Sequence, residues 1–173
     1  MIRKATPEEE AAVLGFFDAM EDGLARSMAH GLKVAVSERD GNTFAVLVPQ
    51  DVLGLPGELL DRAEAGGLAI GTLEDGAFHL DLPGAVLAAP HTRAQTVRVT
   101  EHAARLFVYG RKILAESVTH HDHRLQKGDA CIVANPRNEA LGIGTVVGSF
   151  KGKGEAVVPL HDLGTYLRDQ DDV

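Results

Sequence analysis

Residues 105–114 read RLFVYGRKIL, and this stretch decides the fold expected for the second half of the chain. Thr100 can cap a helix that continues through Phe107, and Gly110 suits the left-handed residue that commonly ends a helix. Short apolar segments follow, separated by turns rich in glycine, asparagine and proline, at 112–118, 130–134, 141–148 and 156–160. Many short strands with such turns predict a small mixed β-barrel over residues 95–173. Residues 161–168 are expected to form a last helical turn or two.

The first half is expected to form a separate α+β domain over residues 1–94. Thr6, Pro7 and the three glutamates that follow favour the start of a helix, which the apolar spacing extends to about residue 30 unless Gly23 breaks or bends it. Two hairpins are predicted around Asp-Gly turns, at residues 40–42 and 74–76. Helices expected at 56–64 and 83–89 would help to cover the resulting antiparallel sheet.

The net charge of −8 is divided unevenly along the chain. Residues 1–94 contain 7 basic and 15 acidic side chains, whereas residues 95–173 contain 10 of each. Within 105–168 there are 9 basic and 6 acidic side chains. This asymmetry indicates separate partners for the two halves, although an acidic protein with ordinary surface charges would show it too.

Composition argues against a membrane or secreted protein. No apolar run approaches the roughly 20 residues needed to cross a bilayer, and no apolar segment of a secretory signal follows the first basic residues. The single cysteine, Cys131, allows no intramolecular disulfide, which is compatible with a cytoplasmic location. Its apolar neighbours predict a buried structural thiol.

No arrangement of residues predicts catalysis, a cofactor or a small-molecule substrate. The Gly142-Ile143-Gly144 segment lacks the third glycine and the following helix of a dinucleotide-binding motif. The run from His120 to His123 could suggest a metal, but adjacent side chains point to different sides and rarely chelate one ion. A solvated loop is the favoured interpretation, with a pH-dependent RNA contact as another. We therefore expect a protein that is not an enzyme and holds no metal.

The second half resembles a PUA domain, a small RNA-binding barrel of RNA-modifying enzymes and ribosome assembly proteins. The resemblance begins with the helix that runs into Tyr109-Gly110 and the strand directly after it. It continues with Lys127-Gly128-Asp129 before an apolar strand, and ends with Leu141-Gly142-Ile143-Gly144. It implies a PUA-type barrel that binds RNA without catalysis of its own.

The whole chain is similar to the Nip-seven family of large-subunit ribosome biogenesis factors. Residues 161–168, HDLGTYLR, are similar to that family's C-terminal motif, and Thr6-Pro7 with its glutamates is similar to the family's acidic helix start. Residues 68–72, LAIGT, match a strand of its first domain, called pre-PUA. The resemblance implies contact with rRNA or pre-rRNA and with ribosome assembly proteins, and the compact length suits an archaeal member.

The expected RNA contacts lie on two turns and one loop of the barrel. Positive side chains bind phosphates, an aromatic ring can stack on an unpaired base, and a glycine lets the RNA backbone approach. These criteria select eight residues: Arg105, Tyr109, Gly110, Arg111, Lys112, Arg137, Lys151 and Lys153. Tyr109 could instead pack in the core. The basic side chains are expected to converge into one patch.

Three functions remain open on the sequence alone. The leading one is an RNA-binding accessory factor in large ribosomal subunit assembly, whose acidic first domain docks on protein partners. The second is an adaptor that binds proteins and little or no RNA, as the acidic composition would allow. The third is an RNA-modifying enzyme, for which the sequence offers no site.

Overall fold

A computed structural model describes residues 2–56 and 67–164 of the chain. The chain divides into two compact units, Met1–Gly84 and Ala85–Val173. The boundary expected after residue 94 thus lies inside the second unit. One reason is that the Asn138 side-chain amide donates hydrogen bonds to the carbonyls of Ala89 and Thr92, which ties that segment to the second unit.

The first unit contains a five-stranded antiparallel sheet in the order β1-β2-β3-β4-β5. Its described elements are β1 (Ile2–Lys4), α1 (Pro7–Met20), α2 (Leu24–Met28), β2 (Leu32–Arg39), β3 (Asn42–Pro49), a 3-10 turn (Gln50–Gly54), β4 (Leu68–Glu74) and β5 (Ala77–Leu80). Helix α3 (Leu82–Ala88) spans the division between the units. The α+β prediction is confirmed, whereas the helix expected at 56–64 lies almost wholly outside the described residues.

Helix α1 begins as the sequence predicts. The Thr6 hydroxyl accepts a hydrogen bond from the Glu9 N–H, and the Glu9 carboxylate accepts one from the Thr6 N–H. This reciprocal capping satisfies two backbone donors at the helix start. The expected break at Gly23 is confirmed, because this residue adopts a left-handed conformation at φ 77° and separates α1 from α2, so the helix does not continue unbroken to residue 30.

The short edge strand β1 was not predicted, and an ion-pair network connects it to α1 and β2. The Arg3 guanidinium contacts the Glu9 carboxylate at 2.7 Å and the Glu38 carboxylate at 3.0 Å. The hydrogen bond from Arg3 lowers the pKa of Glu9 to about 2. A three-residue strand gives no alternation that could be recognised in the sequence.

Both predicted hairpins are present, and their turns need residues with positive φ. Asp40 and Gly41 have φ angles of 50° and 79°, and Asp75 and Gly76 have 49° and 79°. Two successive positive φ angles match the twist of antiparallel strands, which explains the Asp-Gly pairs. The sheet packs on α1 through the edge of Phe78, whose ring centroid lies 5.1 Å from that of Phe16.

The second unit contains a six-stranded, nearly closed mixed sheet in the order β7-β11-β10-β9-β6-β8. Its described elements are a 3-10 turn (Ala89–His91), β6 (Thr96–Val99), α4 (Glu101–Phe107), β7 (Ile113–Leu114), a 3-10 turn (Ala115–Ser117), β8 (Val118–His121), β9 (Ala130–Ala134), β10 (Ala140–Val146) and β11 (Glu155–Asp162). Strands β6 and β9 are parallel, and the other neighbours are antiparallel. The predicted mixed barrel is confirmed.

Two local predictions for the second unit are wrong. The strand expected at 112–118 is divided into β7 and β8 by the turn Ala115–Ser117, so β8 reaches into the predicted histidine loop. The segment expected to begin a helical turn at residue 161 is a strand instead, because His161 and Asp162 pair with Ile143 and Gly142 as the end of β11. Residues 165–168 of that prediction lie outside the described residues.

The glycines of the Gly-x-Gly motif allow strand β10 to lie close to its neighbours. A Cβ on Gly142 would come within 2.3 Å of the His161 carbonyl oxygen and 2.7 Å of the Phe107 ring. The Phe107 ring is fully buried in the barrel core with Cys131. Burial raises the pKa of the Cys131 thiol to about 12, which is consistent with the predicted structural role.

Candidate nucleic-acid interface

One candidate surface is the helix-end turn, which comprises five predicted site residues: Arg105, Tyr109, Gly110, Arg111 and Lys112. The Gly110 N–H donates to the Phe107 carbonyl at 2.8 Å. The Arg111 N–H donates to the Leu106 carbonyl at 3.1 Å. Together with the φ of 75° at Gly110, these bonds form a Schellman motif, in which glycine is favoured because it has no Cβ. Gly110 therefore has a structural role that is independent of any ligand.

The aromatic ring of the helix-end turn projects into solvent. Tyr109 is 72% exposed, so the alternative in which it packs in the core is wrong. Arg105 and Arg111 are also exposed, and within the described residues neither forms an ion pair. Because all three residues belong to the helix-end turn, the exposed ring can stack on a base while the two guanidinium groups contact phosphates.

Lys112 differs from the other cations of the helix-end turn. Its ammonium group lies 2.8 Å and 3.0 Å from the two carboxylate oxygens of Glu155 at the start of β11. Lys112 is therefore not a free cation, and a phosphate would have to compete with Glu155 for it. The pair is half-exposed, and such surface pairs contribute only about 0–1 kcal/mol.

The predicted lysines of the loop between β10 and β11 are both exposed. Within the described part of the chain neither Lys151 nor Lys153 forms an ion pair. The loop is connected to the neighbouring turn, because the Gly154 carbonyl accepts a hydrogen bond from the Ala115 N–H at 2.9 Å. Lys153 therefore lies near strand β7, and Lys112 is the residue directly before that strand.

Arg137 lies on the turn between β9 and β10 and is paired with an acidic neighbour. Its Nε atom lies 3.3 Å from a carboxylate oxygen of Glu139. The Asn135 side chain accepts hydrogen bonds from the N–H groups of Arg137 and Glu139, which defines the turn. One hydrogen bond from the Asn135 side-chain amide and the charge of Arg137 hold the pKa of Glu139 below its usual value. The guanidinium of Arg137 is therefore less available to a phosphate than the ammonium groups of Lys151 and Lys153.

A second surface involves three residues that were not among the eight predicted contacts. We call it the stacked groove and define it by His121, Lys127, Phe150 and Lys151. The rings of His121 and Phe150 are stacked, with centroids 4.2 Å apart and planes inclined by 19°. All four side chains line one open groove of about 400 Å³. Of the predicted site residues, only Lys151 belongs to it.

Asp122 makes the histidine run an ordered part of the barrel. This residue is only 7% exposed. Its carboxylate accepts hydrogen bonds from the Gln95 N–H at 2.8 Å and from the Arg124 guanidinium at 2.8 Å. The Asp122 N–H donates to the Thr96 carbonyl at 3.0 Å. The interpretation of the run as a solvated loop is therefore wrong for His121 and Asp122.

The electrostatics of Asp122 result from two opposing effects. Burial raises the pKa of this carboxyl, but hydrogen bonds from Arg124 and from the Gln95 N–H outweigh burial and hold the pKa well below its usual range. Asp122 is therefore ionised at neutral pH. An aspartate that accepts backbone N–H groups close in sequence is typical of turns, and this signal could have revealed its role.

The structure also bears on metal ions and membranes. Across residues 2–56 and 67–164, no three histidine, cysteine or acidic side chains come together as metal ligands. In those same ranges, no helix is long and apolar enough to span a membrane.

The barrel and its helix define the class of the second unit. A mixed six-stranded sheet with one helix after its first strand, ended at Tyr109-Gly110, is the PUA-type arrangement that the sequence predicted. Comparison with protein families agrees, since residues 95–171 match the model of the UPF0113 PUA domain.

Solved structures with the same fold extend over nearly the entire chain. A hypothetical protein from the hyperthermophilic archaeon Pyrococcus horikoshii OT3 has a TM-score of 0.64 at 15% identity, with 94% of each chain covered. A conserved PUA domain protein from Thermoplasma acidophilum has a TM-score of 0.62 at 12% identity, covering 98% of this chain and 99% of that one.

A third structure is a PUA domain from Aeropyrum pernix K1 in complex with tartrate. Its TM-score is 0.59 at 14% identity, and the match covers 96% of this chain and 88% of that one. At such identities the likeness shows a shared fold. None of the curated proteins matches the sequence.

Proposed function

We propose that the protein is a non-catalytic, RNA-binding accessory factor in biogenesis of the large ribosomal subunit. The PUA-type barrel contacts rRNA or pre-rRNA, and the acidic first unit docks on ribosome assembly proteins in the cytoplasm. The proposal includes membership of the Nip-seven family, as an archaeal member. The archaeal origin of the three similar structures supports the proposal that this protein is an archaeal member.

The observation that carries the proposal is the exposed surface of the barrel. Tyr109 is 72% exposed, Arg111 follows two residues later, and the loop with Lys151 and Lys153 presents two further cations. Arg111, Lys151 and Lys153 form no ion pair with another described residue. Stacking on aromatic rings and neutralisation of phosphates are the two main sources of affinity for single-stranded RNA. The surface provides both, as unpaired bases in loops of rRNA would require.

The test is the salt dependence of RNA binding by the full chain. We expect affinity for single-stranded RNA to fall steeply with salt. The double variant Lys151→Glu/Lys153→Glu should bind at least about tenfold more weakly. Its slope of log K against log salt should be smaller by roughly 0.7 for each phosphate that the variant no longer neutralises. Fluorescence anisotropy at several salt concentrations measures both quantities.

A matched control is Lys4→Glu/Lys33→Glu, which changes the charge equally in the first unit and should have a smaller effect. Co-sedimentation with ribosomal precursors tests the biological part of the proposal. If the wild-type chain shows no salt-sensitive RNA binding and does not sediment with precursors, the proposal fails.

A second candidate is a protein adaptor with weak RNA binding. It is favoured by the net charge of −8 and by the pairing of Lys112 with Glu155 and of Arg137 with Glu139, which reduces the free positive charge. Equal RNA affinity of the wild type and the Lys151→Glu/Lys153→Glu variant would favour this second candidate.

A further inference from the structure

The stacked groove is assembled from three separate segments of the barrel unit. His121 ends strand β8, Lys127 lies on the turn before β9, and Phe150 and Lys151 lie in the loop between β10 and β11. Together they surround an open groove of about 400 Å³. No feature of local sequence requires these side chains to meet, so their convergence is a property of the fold.

The aromatic part of the groove is held in place from two sides. Phe150 is partly buried and packs against the barrel core. His121 lies opposite Val97 in the β6–β8 ladder, and its Nδ1 atom is 3.2 Å from the Asp122 carbonyl oxygen. Strand pairing, this contact and the stacking on Phe150 together restrict the imidazole. The two rings form a preorganised aromatic surface.

The positive part of the groove comes from two lysines that have no acidic partner in the described parts of the chain. The turn that carries Lys127 is attached to β10, because the Gly128 N–H donates to the Val146 carbonyl at 2.8 Å. The acids close to Lys127 in the sequence make other contacts: Asp122 accepts from Arg124, and Asp129 accepts from the Gln126 N–H at 2.8 Å. Both ammonium groups are therefore available to an anion.

We propose that the stacked groove binds one unpaired nucleotide of single-stranded RNA. The base stacks on the surface formed by His121 and Phe150, and the flanking phosphates contact Lys127 and Lys151. Stacking on aromatic side chains next to cations is how proteins bind single strands with little sequence preference. The site deepens the proposed function, on which it rests, by assigning a base-binding subsite separate from Tyr109.

The combination of features favours a nucleotide over an acidic peptide. A carboxylate-rich partner would use the two lysines but would gain nothing from a preformed pair of stacked rings. An unpaired nucleotide uses both, since every base has a π-face and every link carries a phosphate. Duplex RNA keeps its bases stacked on each other, so it cannot use the rings.

The central experiment compares normal and abasic single-stranded oligoribonucleotides of equal length, with fluorescence anisotropy of the full chain. His121→Ala should weaken binding of the normal oligonucleotide by between about fivefold and a hundredfold, as expected for the loss of one stacked base. His121→Phe should retain affinity within about twofold, because the ring is kept. Neither variant should change binding of the abasic oligonucleotide by more than about twofold.

The control variant is His161→Ala, which removes an exposed histidine of the same unit away from the groove and should leave affinity unchanged. If His121→Ala weakens binding of the normal and the abasic oligonucleotide equally, the subsite is overturned while RNA binding stands. The same conclusion follows if the variant weakens binding of neither oligonucleotide. Equal affinity of the wild type for a duplex of the same sequence also overturns it. Failure of the wild type to bind RNA at all removes the proposed function together with the subsite.

Photo-crosslinking of the unmodified protein keeps the proposal testable if His121→Ala does not fold. An oligonucleotide that contains 5-iodouridine is irradiated with the full chain, and the adducts are mapped by mass spectrometry. We expect adducts on His121 or Phe150. Adducts confined to Tyr109 would place the base only at the helix-end turn and overturn the subsite.

Discussion

The helix-end turn and the stacked groove are two surfaces of one barrel unit, and both combine an aromatic ring with positive side chains. In the helix-end turn, the ring of Tyr109 is 72% exposed, and one of its cations, Lys112, is paired with Glu155. In the stacked groove, the rings of His121 and Phe150 support each other, and Lys127 and Lys151 form no ion pair within the described ranges.

The difference shows that a list of basic and aromatic residues does not define an RNA surface. The helix-end turn is contiguous in sequence and could be recognised there, but its charge depends on Glu155, which lies 43 positions after Lys112. The stacked groove could not be recognised in the sequence, because its residues come from three separate segments. Its two lysines nevertheless have no acidic partner among the described residues. Ion pairing and ring stacking, both tertiary properties, therefore decide how much each surface can contribute.

The largest effect is expected from Asp122→Ala, which removes the buried carboxylate next to His121 in the sequence. The variant leaves the Gln95 N–H without its acceptor and the Arg124 guanidinium without its carboxylate. We expect the free energy of unfolding to fall by about 2–3 kcal/mol, since the variant removes several hydrogen bonds to a charged acceptor. Urea denaturation at neutral pH measures this change.

The control for that variant is Asp129→Ala, which removes one exposed carboxylate that accepts a hydrogen bond from the Gln126 N–H, at a cost below about 1 kcal/mol. The pH dependence gives a second check. Because folding lowers the pKa of Asp122, its stabilising contribution is complete above the ordinary value of 3.8 and is lost as the pH falls from there towards the folded pKa. Asp122→Asn should flatten the stability curve in that acidic range; an unchanged curve would contradict the role of Asp122.

A smaller loss is expected for Gly110→Ala in the helix-end turn. The φ of 75° is unfavourable for alanine, so the free energy of unfolding should fall by about 1 kcal/mol. An added Cβ meets nothing within 4 Å, so the cost comes from the backbone alone. Gly15→Ala, the same change on the exposed face of α1, should instead be slightly stabilising. Thermal melts of both variants check the contrast.

RNA affinity separates the two roles of Gly110. Measured well below the melting temperature, Gly110→Ala should bind RNA as the wild type does if glycine is needed only for the Schellman motif. A loss of affinity in the folded variant would show that RNA approaches this position closely, as the sequence prediction holds.

The smallest effect is expected from Glu155→Gln, which releases Lys112. RNA affinity should rise by roughly twofold to fivefold, in line with the modest free energy of an exposed ion pair. Glu116→Gln removes the same charge from an exposed site of the same unit where, among the described residues, no ion pair is formed. An equal rise for both variants would mean that only net charge matters and that Lys112 makes no specific contact.

Much of the fold could be predicted because its signals are local. The Asp-Gly turns, the Thr6-Pro7 helix start and the Gly110 helix end each satisfy a conformational requirement within a few residues. Predictions failed where local signals were weak or absent: the edge strand β1, the short turn between β7 and β8, and the end of β11, where pairing with β10 overrides the local pattern.

The candidate site could be predicted only in part, for a related reason. Tyr109, Lys151 and Lys153 are exposed as an RNA contact requires, and the eight predicted residues remain candidates whose contact with RNA the experiments above test. The sequence raised an RNA contact of the His120–His123 run only as an alternative, and the stacking of His121 on Phe150 could not be foreseen, because the two rings are far apart in the sequence. The pairs that engage Lys112 and Arg137 were likewise unforeseen.

By itself, the sequence determined the α+β first unit, the mixed barrel of the second and the exposed turn at Gly110, because backbone conformation and hydrophobic periodicity act over short distances. Only the tertiary structure decided which cations are paired with acids and which rings stack. Those outcomes depend on distances of a few ångströms between residues brought together by strand pairing, and Coulombic and stacking energies depend on these distances.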